Sequence, residues 1–295
     1  MLKGAAEAEE SVVKSDSAAR LEPLPLTVIA PPSGWTNLDL RELWRYRELL
    51  YFLIWRDAKV RYKQTVFGAS WAIIRPFVTM VVFSVFFGGL LNVPSDDIPY
   101  PIFSYTALVP WSFFSSGLGR CAESLVGHAN ILTKVYFPRL VLPIAAGLSG
   151  LLDFVPSFII LLGMMLVYGM TPTINIVWLL PFMLTTLMTM LGVGFWLAAL
   201  NVQFRDVSFV VSFLAQVWLY ATPVIYPISL VSDAGKALYL LNPMASVIEG
   251  FRWALLGKGM APSPELLVPN AIALALLVTG ALYFRRMEDY FADVV

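Results

Sequence analysis

The sequence predicts an all-α integral membrane protein with six transmembrane helices. Hydrophobic residues make up 58% of the 295 residues, charged residues make up only 14%, and the mean hydropathy is +0.73. Six apolar stretches also approach the ~20 residues that an α-helix needs to cross the ~30 Å hydrocarbon core. This composition excludes an ordinary soluble globular protein.

The six predicted spans account for most of the chain from residue 71 onward. They are residues 71–91, 102–118, 140–168, 176–200, 207–228 and 266–284. The second is short, and the third is long enough to tilt or kink. Lysine and arginine are absent from the alternate loops 92–101 and 169–175, so the positive-inside rule places both termini in the cytoplasm.

The remaining segments have different predicted structures. Residues 1–36 combine prolines with small and acidic residues, which is typical of a disordered cytoplasmic tail without a signal peptide. Residues 37–65 place apolar residues at helical spacing beside basic ones, which predicts an amphipathic helix on the membrane surface. The six-helix domain then occupies residues 66–286, and residues 287–295 form a cytoplasmic C-terminal tail.

The connection between the last two spans, residues 229–265, is too long and too apolar for a plain turn. It predicts two short re-entrant helices that dip into the outer leaflet, where protein must surround their backbone. Asn242-Pro243 marks the break between them.

Charge balance and rare metal-binding residues exclude several function classes. The formal net charge is +0, which gives no electrostatic reason to expect nucleic acid as a partner. Cys121 is the single cysteine and His128 the single histidine, which excludes a disulfide framework and a His/Cys zinc or copper site. We therefore expect this chain to bind no metal or cofactor.

Nucleotide binding is not expected either, because the sequence contains no G-x-x-x-x-G-K-[ST] loop. If ATP powers this protein, another polypeptide must bind it.

Several sequence blocks, taken in order, form a recognisable pattern. They are RDAKVRYKQT at residues 56–65, KVYFPR at 134–139, NVQFRD at 201–206, PVIYP at 223–227, and NPM at 242–244 followed by Glu249 and Arg252. The pattern resembles the ABC-2 type permeases that export polysaccharides, the family of O-antigen, capsule and teichoic-acid exporters. The resemblance covers about residues 38–290.

The resemblance implies the ABC-2 permease fold of type V exporters. It implies a non-enzymatic half-transporter in the bacterial inner membrane, surrounded by membrane lipids, in which a homodimer forms the pore. Two cytoplasmic ABC ATPase subunits would bind ATP and Mg²⁺. The substrate would be a lipid-linked polysaccharide. Six helices alone hardly enclose a tunnel wide enough for a hydrated sugar chain, which agrees with the dimer.

Candidate ATPase-coupling residues lie in predicted cytoplasmic loops. They are Glu123, His128, Asn130, Lys134, Arg205 and Asp206. The resemblance implies that residues 120–139 seat in the ATPase. The alternatives are loops that only set the topology and, for Asp206, a helix N-cap.

Candidate substrate-access and gate residues are charged groups close to the spans. They are Arg56, Lys59, Arg61, Arg75 and Asp153. The basic ones would attract a lipid pyrophosphate, and charges inside a span must face protein or water. Structural alternatives are an Arg75 that snorkels to headgroups and an Asp153 bonded to a neighbouring helix.

Aromatic side chains are candidates for the glycan pore, because apolar sugar faces stack on rings. The candidates are Tyr105, Trp111, Phe114, Trp218, Tyr220, Tyr226, Tyr239 and Trp253. The alternative is the aromatic belt of an ordinary membrane protein. Glu249 and Arg252 are candidate exit residues, although their i, i+3 spacing also predicts a local ion pair.

The leading prediction is the permease subunit of a polysaccharide exporter. One alternative is an ABC-2 permease for lipids or drugs. An ion-coupled carrier would need Asp153 to titrate, and no internal repeat typical of such carriers is present. A glycosyltransferase would need a carboxylate-rich site that the sequence lacks.

Overall fold

The computed structural model describes residues 40–63, 68–132, 134, 137–204, 206–259 and 261–294. The predicted tail at residues 1–36 and the candidate Arg205 lie outside the described residues. The secondary structure of the described part is helical, without β-strands. The α-helices are α1 Leu40–Arg45, α2 Arg47–Tyr62, α3 Trp71–Phe83, α4 Tyr100–Gly127, α5 Ala129–Leu132, α6 Val141–Leu148, α7 Leu151–Val167, α8 Leu179–Gln203, α9 Val207–Tyr220, α10 Asp233–Leu240, α11 Pro243–Leu256 and α12 Leu267–Val294.

The predicted amphipathic helix is observed as α1 and α2, which meet at Tyr46. One side of α2 packs against α6 and buries Leu53 and Ala58. Aromatic side chains remain exposed elsewhere on α1 and α2: Trp44, Tyr51, Phe52 and Trp55. The two helices therefore carry apolar residues both towards the protein and away from it.

The first predicted span is a composite helix. The α-helix α3 carries Pro76 in its interior and continues as a π-helix over Ser84–Leu90. A Cβ atom at Gly88 would lie 2.8 Å from the Tyr100 ring, so glycine lets this segment pack closely against α4.

Helix α4 lies at the centre of the fold and contacts α3, α6, α7, α8, α9 and α11. The predicted span 102–118 is too short, because the helix has 28 residues and continues to Gly127. Arg120 and Glu123, expected in a loop, are therefore helical. Burial explains the extension, since Cys121, Ala122 and Leu125 on this last part are fully enclosed.

The third predicted span is observed as two helices, α6 and α7, which are separated at Ser149-Gly150. A Cβ atom at Gly150 would lie 2.0 Å from Arg120 Nη2. The absence of a side chain at this position therefore makes room for a guanidinium group from α4.

Helices α8 and α12 cross at two glycines. A Cβ atom at Gly280 would lie 2.2 Å from the Gly192 carbonyl oxygen, and one at Gly192 would lie 2.5 Å from the Leu276 backbone. Small residues allow helix backbones to approach this closely. Helix α12 continues through most of the predicted 287–295 tail, because Phe284 and Phe291 form one buried aromatic pair.

The fifth predicted span, 207–228, is shorter than expected. Helix α9 has 14 residues and ends at Tyr220. Pro223 and Pro227 follow, and proline does not continue a helix. The two short helices expected after it are present as α10 and α11, with Asn242 capping α11 through a hydrogen bond from Met244 N to Asn242 Oδ1 of 3.1 Å.

Four segments of the described chain are long and apolar enough to cross a membrane: Trp71–Leu90, Val141–Val167, Ile174–Gln203 and Pro264–Glu288. They coincide with the first, third, fourth and sixth predicted spans. Helix α9 is apolar but shorter, and the second predicted span lies in the deeply buried α4. Length and composition thus support four of the six predicted spans.

Candidate functional site

A cavity of about 500 Å³ lies between α2, α3, α4 and α7. Its charged lining residues are Arg61, Arg75, Arg120 and Asp153, and its apolar wall includes Trp71, Pro76, Phe113 and Phe154. Four helices thus bring three cations and one carboxylate into a single space.

Asp153 is the centre of this charged group. Its Oδ2 atom accepts a hydrogen bond from Arg61 Nη1, and its Oδ1 atom accepts one from the Tyr62 hydroxyl. Arg61 Nη2 also donates to Ser149 Oγ at 2.8 Å. These bonds join α7 to α2, as the structural interpretation of Asp153 anticipated.

Arg120 is the second cation near Asp153, although the sequence analysis placed it in the segment expected to seat in the ATPase and not among the gate residues. Its Nη1 atom is 3.8 Å from Asp153 Oδ2, and its Nε atom donates to the Ala146 carbonyl oxygen at 3.1 Å. Its Nη2 atom is buried without a hydrogen-bond partner. The available signal was an arginine only two residues after the predicted span 102–118.

Only two of the four basic residues predicted to attract a pyrophosphate lie at this cavity. Arg61 and Arg75 line the cavity, whereas Arg56 and Lys59 do not. Arg75 is exposed with its guanidinium carbon 6.0 Å from the centre of the Trp71 ring, and Lys59 is exposed with its Nζ atom 5.5 Å from that of Trp55.

A second polar junction connects α2 to the C-terminal end of α4. Arg56 Nη2 donates to Asp57 Oδ1 at 2.9 Å and also contacts His128 Nε2, which lies 3.7 Å from Asp57 Oδ1. His128 Nδ1 is 2.7 Å from the Ser124 carbonyl oxygen. Because a carbonyl only accepts, Nδ1 carries the hydrogen.

The protonation of this junction follows from its contacts. The contact with the Asp57 carboxylate raises the pKa of His128, against the opposing effects of burial and the Arg56 charge. Burial raises the pKa of Asp57, but its contacts with His128 and Arg56 outweigh this effect and leave the pKa lowered. Both shifts favour a charged Asp57–His128 pair.

The other candidate coupling residues are either exposed or outside the described part of the chain. Glu123 and Lys134 are exposed, and Asp206 is exposed at the N-cap of α9 without a capping bond from its side chain. The side chain of Asn130 lies outside the described part of the chain, as does Arg205. Among the coupling candidates whose side chains are described, His128 contacts another helix, α2, through Arg56 and Asp57.

Glu249 and Arg252 form a buried ion pair near the N-terminal end of α4. Arg252 Nη1 donates to Glu249 Oε1 at 2.7 Å, and both side chains are 2% exposed. The guanidinium also donates to Pro223 O at 2.7 Å and Val224 O at 2.9 Å, and lies 3.6 Å from the Phe103 ring centre. The observed pair is the local ion pair that the i, i+3 spacing predicted, and it is enclosed within this chain.

The candidate pore aromatics separate by burial. Tyr105, Trp111 and Phe114 are at most 5% exposed and belong to the core around α4. Tyr220 is 56% exposed. The hydroxyl groups of Tyr226 and Tyr239 contact each other. Two more rings are half-buried: Trp218, 5.0 Å from Phe114, and Trp253, 6.3 Å from Trp178.

Known proteins resemble this chain over most of its length. The family described as ABC-2 type transporter matches residues 48–256, a range that includes all the charged residues of the cavity. The O-antigen export system permease protein RfbA of Myxococcus xanthus is 32% identical over 260 residues, which cover 87% of this chain and 98% of the relative.

Two further relatives are more distant. A Klebsiella pneumoniae O-antigen export system permease protein RfbA is 28% identical over 249 residues, which cover 84% of this chain and 95% of the relative. The polysialic acid transport protein KpsM of Escherichia coli is 24% identical over 243 residues, which cover 80% of this chain and 92% of the relative.

Proposed function

The chain belongs to the ABC-2 type transporter family, and we propose that it is the permease subunit of an ABC transporter that exports a cell-surface polysaccharide. The membership confirms the resemblance inferred from the sequence motifs. The observation that carries the proposal is the 32% identity to an O-antigen export permease over 98% of that relative's length.

The proposed substrate is a polysaccharide linked to a membrane lipid, of the O-antigen type or a similar surface glycan. The alignments to O-antigen and polysialic acid proteins support a sugar polymer. The basic cavity beside α2 and α3 supports a lipid phosphate as the part that is held at the membrane, since guanidinium groups bind phosphate well.

The proposed architecture has six spans in the inner membrane and both termini in the cytoplasm. The four long apolar segments provide four spans, and α4 and α9 would provide the others. Helices α10 and α11 would be re-entrant, with the buried Glu249–Arg252 pair holding α11 to the segment at Pro223-Val224. Two copies would form the pore.

The proposed mechanism involves no covalent chemistry in this chain. Two ATPase subunits would hydrolyse ATP and move α2 and the C-terminal end of α4, which the Arg56, Asp57 and His128 contacts join. The exposed Glu123, Lys134 and Asp206 would contact these subunits. Tyr220, Tyr226, Tyr239, Trp218 and Trp253 remain candidates for the glycan path.

A deletion experiment tests this function. The gene is deleted in its bacterium, and surface glycan is labelled while lipid-linked polymer is measured in cell fractions, with a complemented strain as control. Complete polymer trapped inside the cell supports export by this chain. Normal surface glycan contradicts it and would favour a permease for lipids or drugs.

A further inference from the structure

The Asp153 carboxylate lies among the arginines that line the cavity, where their positive charge favours an anion. It accepts from Arg61 and lies 3.8 Å from Arg120 Nη1. We propose that the cavity is a phosphate site, in which the phosphate of a membrane lipid replaces the Asp153 carboxylate on Arg61 and Arg120. Only the identity of the lipid, the glycan carrier, rests on the function proposed above.

The charge of the cavity supports the exchange. Three arginines and one aspartate line it, so its formal net charge is +2 even with Asp153 present. Surplus positive charge in a partly apolar space attracts an anion more strongly than the same charge in open water.

Arg120 supplies an independent observation. Its Nη2 atom is buried without a hydrogen-bond partner, and a buried unsatisfied donor costs free energy until a partner arrives. The guanidinium has this position because Gly150 leaves space for it, since a Cβ atom there would be 2.0 Å from Nη2. A phosphate oxygen supplies the missing acceptor.

The size and lining of the cavity also suit a lipid phosphate. Its ~500 Å³ lies within the range of small-ligand pockets. Ser112, Ser115 and Ser116 add hydroxyl groups, and Trp71 and Phe113 add an apolar wall. On α3, Phe77 and Val78 are exposed beside the cavity-lining Pro76, which gives an acyl or isoprenoid chain an apolar surface to follow.

A binding experiment tests the exchange in the full-length chain. The protein is placed in nanodiscs of neutral phosphatidylcholine, and retained lipid is measured by native mass spectrometry as a probe is titrated. The probes are undecaprenyl pyrophosphate, phosphatidylglycerol and inorganic phosphate. Tighter binding of the pyrophosphate lipid than of phosphatidylglycerol supports the glycan carrier, whereas the reverse order overturns that assignment. Binding of inorganic phosphate alone overturns a lipid site.

Three variants should change the affinity for undecaprenyl pyrophosphate, two by weakening it and one by strengthening it. Arg120→Gln should weaken binding of undecaprenyl pyrophosphate about tenfold, because it removes a charged donor. Gly150→Ala should also weaken this binding, although it changes no charge, because its methyl group would displace the Arg120 guanidinium. Asp153→Asn should tighten binding several-fold, since it removes the competing carboxylate, and misfolding would not produce this gain.

Arg47→Gln is the matched control, because Arg47 is an exposed arginine on the same helix as Arg61 and does not line the cavity. Its affinity should equal that of the unmodified chain. Unchanged or weaker binding in Asp153→Asn overturns the exchange, as does an Arg120→Gln affinity equal to that of Arg47→Gln. Lipid binding with this pattern but normal glycan export in the deletion strain would contradict the function and leave the phosphate site intact.

Discussion

At the scale of single residues, burial separates charges that hold the fold from charges that can meet a ligand. Arg252 and Glu249 are enclosed, and the two Nη atoms of Arg252 donate to Glu249 and to backbone carbonyls. Arg75 and Arg120 line a cavity instead. The i, i+3 spacing predicted the Glu249–Arg252 pair. The sequence did not show that this pair is enclosed whereas Arg75 and Arg120 line a cavity.

Arg252→Leu should destabilise the protein by about 3 kcal/mol or more, because it leaves the Glu249 charge buried without a partner. Thermal unfolding of the detergent-solubilised chain measures the effect. The exposed Lys258→Leu is the control. The double change Arg252→Leu with Glu249→Leu should recover part of the loss, since no lone charge remains. An Arg252→Leu melting temperature equal to that of Lys258→Leu would contradict this role.

The Asp57–His128 junction should weaken as the pH rises. The pKa of His128 in the folded state is raised above its ordinary value of 6.5 by the contact with the Asp57 carboxylate. Its stabilisation is therefore full below that ordinary value and is lost as the pH passes the raised pKa. The pKa of Asp57 is lowered from 3.8 by His128 and Arg56, which outweigh its burial, so its contribution is lost only in acid.

Hydrogen exchange of the α2 backbone measures this prediction in the reconstituted chain at about pH 6 and about pH 8.5, on either side of the titration of a histidine. After correction for intrinsic rates, protection of α2 should fall at the higher pH. His128→Asn removes the titrating group and should show no such difference. Equal protection at both pH values in the unmodified chain would rule out the junction as a titrating contact.

At the scale of elements, close backbone approach determines which helices pair. Helices α8 and α12 meet at Gly192 and Gly280, and Gly150, directly before α7, leaves space for Arg120. The lengths of the apolar stretches located these segments, but such a length reports on one helix at a time. It misjudged the ends of α4 and α9, where burial by neighbours and two following prolines decide the length.

Gly280→Ala should destabilise the α8–α12 pair by about 1–3 kcal/mol, because its methyl group would overlap the Gly192 carbonyl and force the backbones apart. Thermal unfolding provides the measurement. Gly163→Ala in α7 is the control, since no atom lies within 4 Å of the added Cβ atom. Equal melting temperatures for Gly280→Ala and Gly163→Ala would contradict a close approach of the α8 and α12 backbones.

At the scale of the whole molecule, the exposed charges near the C-terminal end of α4 predict where a partner subunit docks. Glu123→Lys combined with Lys134→Glu should reduce recovery of the ATPase with the tagged permease by about tenfold, because charge complementarity at an interface is reversed at both positions. Co-purification from membranes measures the loss.

The control for this prediction is Glu265→Lys, which changes an exposed residue just before α12. It changes a surface charge in a segment predicted to face out of the cell, so ATPase recovery should remain normal. Normal recovery in the double variant as well would show that these two residues do not form the docking surface.

The sequence by itself determined the membrane class, the helical segments, the family and the charged residues near the apolar stretches. These properties follow from composition, local periodicity and short motifs. The tertiary structure alone decided that Arg61 meets Asp153 across 92 positions, that Arg120 joins them, and that Arg56 turns to His128 instead. Local periodicity specifies each helix, but only the packing of several helices fixes which of their faces meet.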